Sequence, residues 1–282
     1  MLFLSILFLF TWQSLSASSL REEFEKTGYV EICNKTHGRE TFESLYLHFD
    51  DLIDFLQKNP VWAEKLQMAK ERFIRSKGRD FYGTDFFGLY DEPERSQISF
   101  YYASHFHECI FSKYKEFKQI PEIVRFFEAC LAIETTYRDL FIDTTANLSL
   151  EEIFASTYSY PPILLKVIKY LPTYSALRPH YDGTAFSLFL DSTDNTSLLL
   201  SPYKASFTAE DFYSPIRAFP REERQNSTLL IPGTLLKEFA IYPTPHIVTQ
   251  SGKIRYATIA FGMRPNYTPQ KTAYTPLPNF NH

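Results

Sequence analysis

Glycine is scarce in this 282-residue chain, nine in all, and none of them belongs to a Gly-rich phosphate loop. The stretch "GRDFYG" from Gly78 to Gly83 has loop glycines without the spacing of a phosphate cradle, so it reads as a turn. Cysteine is scarcer still. Cys33, Cys109 and Cys130 are widely spaced, which makes neither a disulfide framework nor a zinc site and leaves reduced core or surface thiols. Positive charge is also short: the formal net charge is −4, which offers nucleic acid no electrostatic footprint. With 44% hydrophobic and 22% charged residues, the composition excludes a disordered or fibrous chain and leaves a globular one. What is abundant is aromatic: 27 Phe and 19 Tyr suit an aromatic core or pocket but specify no chemistry.

The first twenty residues, "MLFLSILFLFTWQSLSASSL", carry no charged side chain. The apolar run from Leu2 to Trp12, followed by Ser16, Ala17 and Ser18, has the form of a signal peptide and is short for a spanning helix. The Lys or Arg that usually precedes such a run is missing. A mis-assigned start is the other reading, although the next methionine is only Met68. Unpaired cysteines suit a reducing compartment, so the cytoplasm is the expected location and export the alternative. The sequons at Asn34, Asn147, Asn195, Asn226 and Asn266 matter only on a eukaryotic secretory route. No stable membrane span is expected.

Helical spacing dominates the first half. "LREEFEKTGYVEICN" reads as a short charged helix, a turn at Thr27-Gly28 and a strand from Tyr29 to Cys33. Apolar positions from Phe42 to Leu56 predict a helix that Asn59-Pro60 ends, and a second follows over Val61 to Arg75. Residues from Phe81 to Ser104 are aromatic and Asp-rich with weak periodicity. Another long helix is predicted from about Pro121 to Phe141. After Ser149 short apolar runs alternate with turns: "LLKVIKYLP", "FSLFLDS", "TSLLLSP", "STLLIPG", "HIVTQ" and "YATIAFGM". The reading is one α+β domain over 21–275, after the apolar segment 1–20 and before a tail over 268–282. Its helical or mixed part (21–150) packs on a jelly-roll core (151–267).

One stretch carries chemistry. In "ALRPHYDGTAFSLFLDST", His180 and Asp182 stand two apart before an apolar run, and Phe186, Leu188 and Leu190 continue the same parity. On a continuous strand these would share a face. Burying an imidazole and a carboxylate there is costly without a partner, which is either a metal ion or a His–Asp hydrogen bond at a strand end. A third ligand has to come from another strand, and His246, 66 positions on at the head of "HIVTQ", qualifies. Two histidines and one carboxylate with open positions form the facial triad of non-haem Fe(II) oxygenases, though zinc accepts the same donors. Nine residues later Arg255 can hold a carboxylate bidentately beside the metal, or can be a surface arginine at a strand start. His105 and His107 repeat the i, i+2 spacing on an expected strand, but no carboxylate and histidine follow in order. His37 and His48 read as surface or loop groups.

The ordered set resembles the iron/2-oxoglutarate-dependent dioxygenase superfamily, in particular its isopenicillin N synthase-like branch. "HYDGTAFSLFLDS" resembles the His-x-Asp strand, and "STLLIPGTLLKEF" through "PHIV" resembles the region of the second histidine, with Gly233 at the turn. "RYATIAFGMRP" resembles the Arg-x-Ser strand, and "LKVIKYLP" the strand before the triad. More loosely, "LREEFEKTGYVEI" resembles the N-terminal helix and strand. The likeness covers Leu165 to Pro265 well and the rest loosely.

The resemblance implies a double-stranded β-helix (jelly-roll) with N-terminal helices packed on it, and an Fe(II) oxidoreductase. His180, Asp182 and His246 would hold Fe(II), Arg255 and Tyr170 would bind 2-oxoglutarate as co-substrate, and O2 would oxidise a small organic molecule, hydroxylation being the default outcome. Two departures stand out. The family serine is Ala257 here, leaving Tyr170 or Thr258 to compensate, and Lys169 and Leu171 replace the usual residues of the preceding strand. The missing hydroxyl keeps open a 2-oxoglutarate-independent oxidase of the isopenicillin N synthase kind. A metal- or ligand-binding jelly-roll without turnover is the third reading.

Overall fold

Helix α2 (Arg39–Lys58) forms where apolar residues recur every three or four positions, and Phe42, Leu45, Tyr46, Phe49, Leu52, Ile53 and Leu56 are all buried along it. Asn59-Pro60 breaks it, because proline cannot donate to the preceding turn but suits the first turn of the next helix. That next helix is α3 (Pro60–Phe73), which runs into a π-helical turn over Ile74–Gly78. The computed structural model describes residues 17–33, 39–78, 82, 84–148, 162–172, 180–193, 197–201, 217–218, 227–249 and 252–263. The apolar segment before Ala17, the sequons at Asn34, Asn195, Asn226 and Asn266, His37, His282 and the tail from 268 lie outside those residues.

The remaining helices are α1 (Ala17–Thr27), α4 (Ser104–Lys113) and α5 (Pro121–Asn147). Proline again occupies the first turn of α5. Helix α5 lays Ile123, Phe126, Phe127, Cys130 and Ile133 inward. The Phe126 ring stacks on Phe49 of α2 at 5.2 Å between centroids and meets Phe100 edge-on at 4.8 Å. Burying each such ring is worth about 1.5–3 kcal/mol, so this aromatic layer fixes the helices on the sheet. Among the described residues no helix is long and apolar enough to cross a membrane.

The strands are β1 (Val30–Cys33), β2 (Gly88–Glu92), β3 (Gln97–Tyr102), β4 (Ile163–Tyr170) and β5 (Phe186–Ser192). They continue with β6 (Leu198–Leu200), β7 (Arg217–Ala218), β8 (Ser227–Pro232), β9 (His246–Val248) and β10 (Arg255–Gly262). A seven-stranded antiparallel sheet runs β1-β8-β5-β10-β4-β3-β2, and a three-stranded sheet runs β7-β6-β9. Leu198, Leu200 and Val248 of the small sheet pack with Ile168, Tyr170, Phe189, Leu229, Ile231, Ala257 and Ile259 of the large one. Two sheets closed over a shared apolar interior, with helices on the outer face of the larger, make an α+β jelly-roll as the sequence predicted. The β2–β3 hairpin lies in the region where periodicity is weak, and all six β3 residues are buried. A strand covered on both faces shows no alternation in its sequence.

Lys169 and Tyr256 explain one departure from the family pattern. Both point to the outer face of the large sheet, where the Lys169 ammonium donates to Asp50 of α2 at 2.8 Å and the Tyr256 hydroxyl donates to the other oxygen of the same carboxylate. Tyr256 also stacks on Tyr46 at 4.9 Å. These contacts dock α2 and leave the barrel interior untouched.

Candidate active site

The triad is assembled where the chain changes sheets. His180 pairs with His246 across two 3.0 Å backbone hydrogen bonds, so it belongs to the small sheet beside β9. Six residues on, β5 belongs to the large sheet. The crossing runs through Tyr181–Ala185, with a bend over Gly183–Ala185, and Asp182 sits in it, between the layers. The expected strand continuity from His180 to Leu190 is therefore wrong. The bend resets the parity: Phe186, Leu188 and Leu190 face the helical core, whereas Ser187 and Phe189 face the site.

A tight turn holds the crossing in place. Thr234 N–H donates to the Asp182 carbonyl at 2.9 Å, and Gly233 N–H donates to the Ala185 carbonyl at 2.8 Å. Gly233 is required by proximity, since a Cβ there would lie 2.1 Å from the Thr184 carbonyl oxygen.

The ligand atoms of His180, Asp182 and His246 all lie within 4.8 Å of one another, and this is the group of three among the described residues that could hold a metal ion. Asp182 Oδ1 is 3.9 Å from His180 Nε2 and 3.7 Å from His246 Nε2. The imidazole rings are 4.2 Å apart between centroids. His246 Nδ1 faces the Thr244 carbonyl at 3.2 Å, an arrangement that keeps the proton on Nδ1 and directs the Nε2 lone pair toward Asp182. Ser187 donates to Asp182 Oδ2 at 2.6 Å and leaves Oδ1 for the ion. His246 is buried, whereas the His180 side chain is 38% exposed and marks the open side of the site.

Electrostatics favour a carboxylate here. Burial pushes the Asp182 carboxyl upward, but the positive charge that His246 and His180 carry when protonated, the Ser187 hydrogen bond and the Lys166 ammonium outweigh it and hold it below its ordinary value. A bound cation would take over the role of the imidazolium charges once the histidines are neutral ligands. The donors thus fit a divalent ion: two imidazole nitrogens and one anionic oxygen on one side, with the opposite positions open.

Arg255 is no surface arginine. It is 3% exposed, inside the barrel at the start of β10. One terminal nitrogen donates to Ser197 Oγ at 2.6 Å, the other to the Thr249 carbonyl at 2.8 Å, and the guanidinium lies 3.8 Å from the centroid of the Tyr170 ring. Tyr170 is its register partner on β4. Ala257 follows on the same face. Thr258 faces the other way and donates to the Tyr46 hydroxyl at 3.1 Å, so it cannot compensate for the missing serine. The serine that does meet the arginine is Ser197, from the loop before β6. Sequence reasoning missed it because no fixed spacing links it to Arg255.

The other histidines lie elsewhere. His105 and His107 are on α4, a helix and not the expected strand. His107 Nδ1 is 2.9 Å from the Tyr102 hydroxyl, and burial lowers its imidazole pKa to about 4, which keeps it neutral. His105 meets Phe73 edge-on at 5.2 Å. His48 lies on α2, half-buried, with Nδ1 3.9 Å from Asp51. Cys109 and Cys130 are free thiols.

No family model and no curated protein matches the chain. Solved structures do. The 2-oxoglutarate complex of the dioxygenase for auxin oxidation 1 from Arabidopsis thaliana aligns with a TM-score of 0.54 at 14% identity, covering 88% of each chain. The rice dioxygenase for auxin oxidation aligns with a TM-score of 0.55 at 13% identity, over 88% of this chain and 78% of that one. A 2OG-Fe(II) oxygenase family protein from Caulobacter crescentus gives 0.53 at 14% identity, over 88% and 81%. The chain has the jelly-roll fold of the 2OG-Fe(II) oxygenases, with a His-Asp-His group inside it.

Proposed function

We propose that this protein is a non-haem Fe(II), 2-oxoglutarate-dependent dioxygenase that oxidises a small organic substrate with O2, hydroxylation being the default outcome. The observation that carries the reading is the convergence of His180, Asp182 and His246 inside the same barrel as the buried Arg255. His180, Asp182 and His246 hold Fe(II). Arg255, backed by Tyr170 and steadied by Ser197, receives the far carboxylate of 2-oxoglutarate. When bound, the iron would supply the activation of O2, 2-oxoglutarate losing its C1 carboxylate as CO2 and becoming succinate with one oxygen atom while the other enters the substrate. The protein's own groups set geometry: Ser187 and Thr244 orient the ligands, and the apolar interior restricts water.

The test is an anaerobic titration with Fe(II) and 2-oxoglutarate, watching for the weak visible band of the chelated complex. Iron binding without that band moves the reading to a 2-oxoglutarate-independent oxidase. Ala257 is what favours that second reading, because it removes the hydroxyl from the Arg-x-Ser strand, and Thr258 on that strand does not restore it. Turnover in either case distinguishes the protein from a non-catalytic binding jelly-roll. The proposed location is the cytoplasm, which the free thiols Cys109 and Cys130 suit. The mass of the mature N-terminus tests it, since a chain beginning near Ala17 to Leu20 would indicate export.

A further inference from the structure

We propose that Lys166 is a substrate-anchoring residue, and that the substrate is an organic acid whose carboxylate it receives. The inference rests on the oxygenase reading and deepens it by naming a substrate class.

Lys166 lies on β4 in phase with Ile168 and Tyr170, both of which belong to the apolar interior between the sheets. Its register partners are Tyr101 on β3 and Ile259 on β10. Its ammonium stands 5.1 Å from the centroid of the Tyr101 ring. Solvent access is intermediate, and burial lowers the ammonium pKa to about 8, against the attraction of Glu92 and Asp182. The group is therefore still a cation near neutral pH.

That cation is not neutralised by its surroundings. Glu92 accepts from Gln97 Nε2 at 2.7 Å and Ser99 Oγ at 3.0 Å, and pairs with Arg95 at 3.2 Å. Asp182 is committed to Ser187 and to the two histidines. Among the described residues Lys166 makes no hydrogen bond or ion pair, only the contact with the Tyr101 ring. An ammonium held in a partly desolvated site gains from an arriving anion more than one in water does.

The far carboxylate of the co-substrate is assigned to Arg255. That arginine lies against the ring of Tyr170, four positions along β4 from Lys166, or about 13 Å between backbone positions at the strand rise. The anion that Arg255 receives is therefore not the one assigned to Lys166. A second anion is left to occupy the lysine. Phe86 stacks on Tyr101 at 5.3 Å and is 51% exposed, which offers an apolar surface for the body of that acid.

The probes are phenylacetate and its uncharged amide, phenylacetamide, titrated calorimetrically into the full chain, both metal-free and loaded anaerobically with Fe(II) and 2-oxoglutarate. The expected result is a preference for the acid over the amide of about tenfold or more. Lys166→Met should abolish the preference and Lys166→Arg should retain it, while the 2-oxoglutarate band of Lys166→Arg, which keeps the positive charge near Asp182, matches wild type. The proposal is overturned if wild type fails to bind phenylacetate at millimolar concentration, or binds acid and amide alike. It is equally overturned if Lys166→Met keeps the preference, or if Lys166→Arg loses the 2-oxoglutarate band and so assigns the lysine to the co-substrate site. A missing band in wild type with the acid preference intact rejects the co-substrate reading alone.

Discussion

Ser187 Oγ donates a 2.6 Å hydrogen bond to Asp182 Oδ2, from the first turn of pairing in β5 back to the crossing that precedes it. The bond fixes which carboxylate oxygen faces the two histidines. Outer partners of this kind orient a ligand and tune its basicity, and their loss typically costs ten- to a hundredfold in metal affinity. Ser187→Ala should therefore lower Fe(II) affinity by roughly that factor with far-UV circular dichroism unchanged. His180→Ala, Asp182→Ala and His246→Ala should each remove iron binding and turnover altogether. Wild-type iron stoichiometry in all three would reject the assignment of the site.

Arg255 supplies the second prediction. Its guanidinium fork matches a carboxylate with two charge-assisted hydrogen bonds, and a bond to a charged group contributes on the order of 1.5–3 kcal/mol. Arg255→Lys keeps the charge but loses the fork, so 2-oxoglutarate should bind roughly ten- to a hundredfold more weakly, with iron affinity unchanged. Ser197→Ala should weaken it less, because the Thr249 carbonyl and the Tyr170 ring still position the arginine. Ala257→Ser adds a hydroxyl on the same strand face and should tighten binding modestly. A dissociation constant that none of these substitutions moves would place the co-substrate elsewhere.

Much of this site was legible in the sequence, and the failures have physical causes. The order of His180, Asp182, His246 and Arg255 was readable because each is tied to a recognisable apolar strand. The parity argument from His180 to Leu190 failed because the bend at Gly183–Ala185 moves the chain between sheets, and alternation holds only within one strand. Ser197, Ser187 and Thr244 meet their partners through the fold, so no spacing announces them. His105 and His107 misled because two residues of a helix and two of a strand can share the same spacing; the apolar neighbours Phe106 and Ile110, four apart and both buried, were the helical signal.

Glu134 predicts a pH dependence remote from the metal site. It lies on α5, almost fully buried, and accepts the Ser104 N–H at the start of α4 at 2.9 Å. Burial raises its carboxyl pKa from 4.5 to about 7, with the hydrogen bonds to Ser104 and the charge of Arg138 opposing the rise. A carboxyl raised on folding binds protons more tightly in the native state. Its contribution is fully present below about pH 4.5 and is lost as pH rises to about 7, an effect of roughly 3 kcal/mol. Glu134→Gln should remove that component. The stability difference between wild type and variant, from urea unfolding at a series of pH values, should therefore change between those limits and level off above them. A difference that stays constant across that range would mean that Glu134 is already ionised in the native protein at low pH.

Gly233 offers the most direct link between backbone packing and the metal. Its φ of −98° is open to any residue, so the constraint is space alone. A Cβ would meet Thr184 O at 2.1 Å and Thr184 Oγ1 at 2.8 Å, and Thr184 cannot retreat freely because its carbonyl accepts the Leu235 N–H at 3.1 Å. Gly233→Ala must therefore push the crossing away from the turn, and Asp182 moves with it through the bond between its carbonyl and Thr234 N–H. Overpacking of this kind costs about 1–3 kcal/mol, which should appear as a lower Tm. Iron affinity should fall in parallel, since Asp182 would leave its position beside His246. Gly183 is the control, because a Cβ there meets nothing within 4 Å and Gly183→Ala should leave both quantities near wild type. A Gly233→Ala protein with wild-type Tm and iron affinity would show that the crossing relaxes without disturbing Asp182, and the turn would then have no part in holding the ligand.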